Sequence, residues 1–193
     1  MPRTKQFSQD DVLKKAMLLF WKNGYHATSI QQLVNHLGIN RASLYDTFGG
    51  KRALFLSAFQ LYVQSNTSGF GDFLNSQADV KKGLRLLFQA ALHESVSDPD
   101  KKGCFVVNTT TELVPGDTEI KIILDRNKQK FEKMFFNYLQ KGVESGQLPA
   151  GKDYQSLAKL FFTMYNGMNV VGKLGHQKDE MQKSIDLVLS LLD

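Results

Sequence analysis

The chain has 193 residues, with 42% hydrophobic and 22% charged side chains, four prolines and a net charge of +5. These values describe an ordinary globular chain with a substantial core and exclude a disordered or membrane-embedded one. Its one cysteine, Cys104, excludes an internal disulfide framework.

The charge is unevenly placed. Residues 1–52 hold eight basic and three acidic residues, and the remaining 16 basic and 16 acidic residues cancel, so the whole +5 lies in the first quarter. Such asymmetry suits an N-terminal unit that meets a polyanion and a neutral remainder with another task. No apolar run approaches the roughly 20 residues that span a bilayer. The opening MPRTKQFSQDD turns acidic too early for a charged-then-apolar leader, so a cytoplasmic protein is expected.

Apolar residues at helical spacing predict an all-α chain. SQDDVLKKAMLLFWKNGY predicts a first helix, capped by Ser8, with Asp10 and Asp11 near its positive end. Val12, Leu13, Ala16, Met17, Leu19 and Phe20 form its apolar face, and Asn23-Gly24 stops it. Thr28-x-x-Gln31 has capping-box form and predicts the start of a second helix, with Ile30, Leu33, Val34 and Leu37 inward. Gly38 supplies a tight turn and Ile39 fills the corner. Asn40 then caps a third helix, from about Arg41 to Thr47, with Leu44 and Phe48 inward.

Two short helices joined by a glycine turn behind a longer support helix form a helix-turn-helix, whose second helix lies in the DNA major groove. The outward side of that helix is Arg41, Ser43 and Thr47, flanked by Ala42 and Tyr45. Arg41 suits a bidentate contact with guanine O6 and N7. Lys51 follows Gly49-Gly50 in the first turn of a fourth helix, where an ammonium and backbone N–H groups suit a phosphate. Asp46 faces solvent or accepts from cytosine N4. Tyr45 either contacts the DNA backbone or packs on the first helix. Lys14, Lys15 and Lys22 read as a solvated helix face. Arg3 and Lys5 form either a disordered terminus or an arm toward the minor groove.

Phe20, Gly24-Tyr25, Thr28, Ile30, Leu33, Gly38-Ile39, Ser43-Leu44-Tyr45, Phe48 and Lys51-Arg52-Ala53-Leu54 resemble the DNA-binding signature of the TetR/AcrR family of transcriptional regulators. The resemblance covers about residues 8 to 55. It implies phosphate contacts from Thr28, Tyr45 and Lys51, and base-facing positions at Arg41, Ala42 and Ser43. Leu37 and Val34 stand where family members often carry alanine.

The rest of the chain stays helical. A long fourth helix carries Leu54, Phe55, Ala58, Phe59, Tyr62 and Val63 and fades in SNTSGFGD. A fifth carries Val80, Leu84, Leu87, Phe88, Ala91 and Leu92 and ends in the polar SDPDKKG. GCFVVNTTTELVPGD has strand-like propensity but no pairing partner, so a short helix is expected. Ile120 to about Gly142, Tyr154 to about Val171 and Asp179 to Leu192 complete about nine helices. The expected division is a DNA-binding domain at 1–52 and an effector-binding and dimerisation domain at 53–193.

The resemblance implies that the last two helices pair with those of a second copy. This assigns Leu157, Leu160, Phe161, Met164, Met168, Met181, Ile185, Val188, Leu189 and Leu192 to a dimer interface. It also implies an effector pocket among Phe88, Phe105, Phe131, Phe135, Phe162, Tyr165, Asn166 and Asn169, although aromatic residues at helical spacing equally fit plain core. Cys104 follows Lys101-Lys102-Gly103 at a helix start, where a thiol is activated or simply buried. Some regulators of the family sense electrophiles or oxidants through a cysteine in a similar setting.

No His-Glu-x-x-His, cysteine pair, phosphate loop or nucleophile elbow is present, so no enzyme, metal or cofactor is implied. The expectation is a dimeric repressor on palindromic double-stranded DNA, released by a small-molecule effector. Thiol sensing through Cys104 and a helical protein–protein adaptor without DNA binding are the alternatives.

Overall fold

The computed structural model describes residues 8–174 and 178–193, and Arg3 and Lys5 lie outside them. Among the described residues there are nine α-helices and no strand. The helices are α1 (Gln9–Asn23), α2 (Ile30–Leu37), α3 (Arg41–Phe48), α4 (Lys51–Ser76), α5 (Val80–Ser97), α6 (Phe105–Leu113), α7 (Thr118–Glu144), α8 (Tyr154–Val171) and α9 (Lys178–Ser190). A 3-10 turn, Gly172–Leu174, follows α8. None of the described helices is long and apolar enough to cross a membrane. The chain forms two compact units, Met1–Ser65 and Asn66–Asp193, and α4 contributes to both.

Side-chain caps set most helix starts. Ser8, Asn40, Asp79, Asp117 and Asp153 each accept the backbone N–H three residues on, which satisfies a donor the helix leaves open. Two expectations change. The second helix starts at Ile30 under a Ser29–Gln32 capping box, with Gln32 N–H to Ser29 Oγ at 3.1 Å and Ser29 N–H to Gln32 Oε1 at 2.8 Å. Thr28 is not its cap, because its hydroxyl donates to the Gly24 carbonyl at 2.6 Å. The fourth helix also does not fade in SNTSGFGD: it continues to Ser76, since Phe70 and Leu74 are 5% and 3% exposed and burial there outweighs two glycines.

In the first unit, Val12, Ala16 and Phe20 of α1 are buried together with Leu33, Leu37, Leu44, Leu54, Phe55 and Phe59. Phe20 meets Phe55 edge-on at 5.2 Å and Phe55 stacks on Phe59 at 5.8 Å. The second unit is built mainly from α5, α7, α8 and α9, with α6 packed on α7 and α8. Its center is aromatic: Phe88, Phe135 and Phe161 approach pairwise at 5.9 to 6.4 Å. Phe70 meets Phe131 at 4.7 Å and Phe135 at 5.0 Å.

The start of α5 is tied to α7. The Tyr138 hydroxyl donates to the Asp79 carbonyl at 3.2 Å, and burial raises the phenol pKa, with Asp79 adding to the rise. Gly83 makes this approach possible, because a Cβ there would overlap the Tyr138 hydroxyl and lie 2.8 Å from Gln77 Cβ. Gly69, exposed within α4, has nothing within 4 Å of a Cβ position. Gly83→Ala is therefore expected to lower the unfolding free energy by about 1–3 kcal/mol. Gly69→Ala should raise it by up to about 1 kcal/mol through helix propensity alone. Urea titrations of the two variants beside the wild type check these opposite signs.

Candidate nucleic-acid interface

The α2–turn–α3 segment is set from the inside. Leu33 and Leu37 of α2, Ile39 of the turn and Leu44 of α3 are buried. Gly38 takes the turn at φ +67°, a conformation that suits glycine. With Leu44 fully buried, the exposed side chains of α3 are Arg41, Ala42, Tyr45 and Asp46. Ser43 and Thr47, expected to point outward, are half-buried, and the Ser43 N–H donates to Asn40 Oδ1 at 2.8 Å.

Each of the two key cations rests on a tyrosine. The Arg41 guanidinium lies 5.9 Å from the Tyr45 ring center, which suits side chains one helical turn apart. The Lys51 ammonium lies 4.4 Å over the Tyr25 ring. Tyr25 is itself held edge-on by Phe55 at 4.9 Å and stacked on Phe20 at 6.3 Å. Gly50 adopts φ +110° and would bring a Cβ to 3.1 Å from the Tyr45 ring, so this glycine serves both the turn and the tyrosine. Local sequence carries no signal for the Tyr25–Lys51 contact, because it joins the end of α1 to the start of α4.

Thr28 departs from its assigned role. It is fully buried, and its hydroxyl is committed to Gly24, so the side chain does not face a phosphate.

The residues assigned to an effector pocket divide. Phe88, Phe105, Phe131 and Phe135 are at most 2% exposed and fill the core rather than line an opening. Phe162 and Tyr165 are half-buried against that core. Asn166 and Asn169 donate to the carbonyls of Phe162 and Tyr165 on their own helix, each at 2.8 Å. Burial pushes the Tyr165 phenol pKa well up, and negative charge at Cys104 and Glu94 acts in the same sense.

Cys104 is 6% exposed at the N-cap of α6. The nearby Lys102 ammonium bonds Asp98 at 2.8 Å and holds its carboxyl below the usual carboxylate range. Lys173 also lies at this turn, with its stem against Gly103. Burial lowers its pKa while charge at Cys104 opposes the shift, and its ammonium donates to Asn108 Oδ1 at 2.6 Å.

This geometry matches known regulators. Residues 12–58 match the family "Bacterial regulatory proteins, tetR family", and residues 81–188 match "Tetracyclin repressor-like, C-terminal domain". The chain belongs to the TetR family. The uncharacterized HTH-type transcriptional regulator YezE of Bacillus subtilis (strain 168) is 33% identical over 195 residues, covering 100% of both chains. The HTH-type transcriptional repressor ComR of Escherichia coli (strain K12) is 27% identical, over 98% of this chain and 90% of that one. Among solved structures, a cysteine mutant of the TetR family regulator CifR, complexed with 26bp double-strand operator DNA, aligns with a TM-score of 0.87 and 25% identity. That alignment covers 99% of this chain and 100% of the other.

Within the TetR fold, α8 and α9 differ from the expected dimer face. Phe161, Met168, Met181, Ile185, Val188, Leu189 and Leu192 are buried in the chain's own core. Leu157 and Met164 are half-buried, and Leu160 alone of the assigned residues is exposed. The outward stripe consists of Leu160, Thr163, Gly167, Val170 and Val171 of α8 and Leu174 of the 3-10 turn; Leu187 of α9 and Leu191 just after it are exposed as well. Leu174 and Leu187 are 72% and 71% exposed, which is unusual for leucines on a helical surface.

The Tyr25 platform gives a test of its own. Tyr25→Leu should weaken duplex binding by about five-fold irrespective of sequence, the worth of an exposed cation–π contact. Tyr25→Phe should retain most of the affinity, as measured by fluorescence anisotropy.

Proposed function

We propose that this TetR-family regulator is a homodimeric repressor that binds a palindromic operator in the bacterial cytoplasm and is released by a small-molecule effector. Residues 1–52 carry the DNA contacts, and 53–193 carry the effector site and the dimer face. The observation that bears most weight is the exposed edge of α3, where Arg41 stands beside Tyr45 while Leu44 anchors the helix from within. Arg41 reads a base. Ala42 lies against one, and Ser43 and Thr47 approach the groove at the edges of the contact. Tyr45 and Lys51 hold phosphates. The charge excess of this segment and the operator complex of CifR support the reading.

The outward stripe of α8 and α9 is the proposed dimer face, with Gly167 in the middle, where a Cβ would meet nothing within the chain. A glycine there lets a second helix approach closely. Two-fold pairing presents two α3 helices to two half-sites. An effector that favours a different pairing geometry then lowers operator affinity.

Arg41→Ala should cost about 1–3 kcal/mol on the operator and relax base preference at one position. Lys51→Ala should weaken all duplexes alike and reduce the salt slope by about one. Wild-type affinity in both variants would remove these assignments. A Leu174→Lys, Leu187→Lys variant should sediment as a monomer and lose operator affinity; a stable dimer would refute the redrawn face.

A second reading is favoured by the place of Lys173, whose stem lies against Gly103, next to Cys104, and whose charge the Cys104 charge favours. A thiolate at Cys104 would face a cation at a helix start, which suits sensing of electrophiles. N-ethylmaleimide should then release operator DNA from the wild type and not from Cys104→Ser. Equal responses, or none, would remove this reading.

A further inference from the structure

Three carboxylates lie in the basic first quarter of the chain, those of Asp10, Asp11 and Asp46. Asp10 and Asp11 stand in the first turn of α1, where the positive end of the helix dipole favours them. Asp46 has no such support. It is exposed in the last turn of α3, at the negative end of the dipole. Among the described residues no hydrogen bond or ion pair holds its carboxylate. The cations to either side of it in sequence rest on rings, Arg41 on Tyr45 and Lys51 on Tyr25.

Helix geometry puts this carboxylate on the face assigned to DNA. With Leu44 turned inward, the exposed side chains of α3 fall into two rows at i, i+4 spacing. One row is Arg41 and Tyr45, the cation and its ring. The other is Ala42 and Asp46. Ala42 is a single methyl group, so along this row the helix approaches base edges closely, and a side chain as short as aspartate reaches them one turn further on. An unpaired carboxylate near phosphates is repelled, so Asp46 weakens binding to DNA in general. Its contribution must therefore be to choice rather than strength. A carboxylate only accepts hydrogen bonds. The donors in the major groove are the exocyclic amino groups, cytosine N4 and adenine N6, whereas guanine O6 and thymine O4 are acceptors.

We infer that Asp46 is a specificity-determining residue: it accepts a hydrogen bond from the exocyclic amino group of a base and repels the acceptor oxygen of guanine or thymine at the same place. Asp46 then reads one base pair and Arg41 another. This inference rests on the reading of α3 as the recognition helix and adds a second reader to it.

The test is selection of random-sequence duplexes by the wild-type dimer, by Arg41→Ala and by Asp46→Ala. The wild type should enrich cytosine or adenine at a position of each half-site that Asp46→Ala leaves random, and the enriched base tells the two amino groups apart. Arg41→Ala should keep that preference and lose a different one. Asp46→Asn, whose amide also donates, should admit guanine or thymine at that position. Exchanging the base pair for one that presents guanine or thymine should weaken wild-type binding about tenfold and Asp46→Ala binding less than about twofold, by fluorescence anisotropy. Asp46→Ala should also bind a duplex of unrelated sequence about two- to three-fold more tightly, which shows that the variant is folded. Tighter binding of unrelated DNA with every base preference kept places Asp46 in solvent and overturns the inference, while Arg41 keeps its role. A wild type without any base preference overturns it together with the reading of α3.

Discussion

An α-helix of eight residues does not persist alone in water, and α3 has eight. Its existence depends on Leu44, which is fully buried against the first unit's core and contributes roughly 1.5–3 kcal/mol. Asn40 starts the helix, and Gly49, at φ +78°, stops it. That anchoring also decides which side chains are free. Once Leu44 is turned in, Arg41 and Tyr45 share one exposed edge at i, i+4, and their contact preorients the guanidinium. The same rotation that buries one leucine exposes one arginine, the residue proposed to read a base.

The cations are held by a second layer of the same kind. Phe20 and Phe55 fix Tyr25, and Tyr25 lies under Lys51. A flexible lysine normally loses much side-chain entropy when it fixes on a phosphate. An aromatic platform beneath the ammonium takes part of that loss in the unbound state. Gly50 completes the arrangement by leaving room for Tyr45 where any side chain would crowd the ring.

Much of this was legible in the sequence, and the failures have physical causes. Caps and stops are local, so Ser8, Gly24, Gly38 and Asn40 announce themselves. Thr28 and Ser29 are adjacent hydroxyls, each with a glutamine three residues on, and only the hydrogen bond to Gly24 separates them. The continuation of α4 through two glycines depends on burial of Phe70 and Leu74, which no local propensity encodes. Asn127 shows the same limit. Its spacing from Leu124 and Phe131 places it inward, but whether its Oδ1 finds a partner among the described residues belongs to three dimensions. On α8 the difficulty is different, because apolar residues occupy both sides. Periodicity finds such a helix without saying which stripe belongs to the chain and which is left over.

The two stripes of α8 also bear on how a signal could cross the second unit. Phe161 and Met168 face the aromatic core, while Leu160, Gly167 and Val170 face outward from the same turns. Close-packed interiors do not compress, so a molecule admitted among the rings near Phe131 and Phe162 must displace something. The far side of α8 carries the proposed dimer face, so a rigid-body shift of this helix would be passed to the pairing. Gly172 sits so tightly against Ser95 that a Cβ would overlap the serine side chain, which resists movement of the C-terminal end. A helix restrained at that end and displaced along its length must tilt. Tilting moves its outward stripe, and the proposed pairing face, with its close approach at Gly167, would tolerate little of that motion.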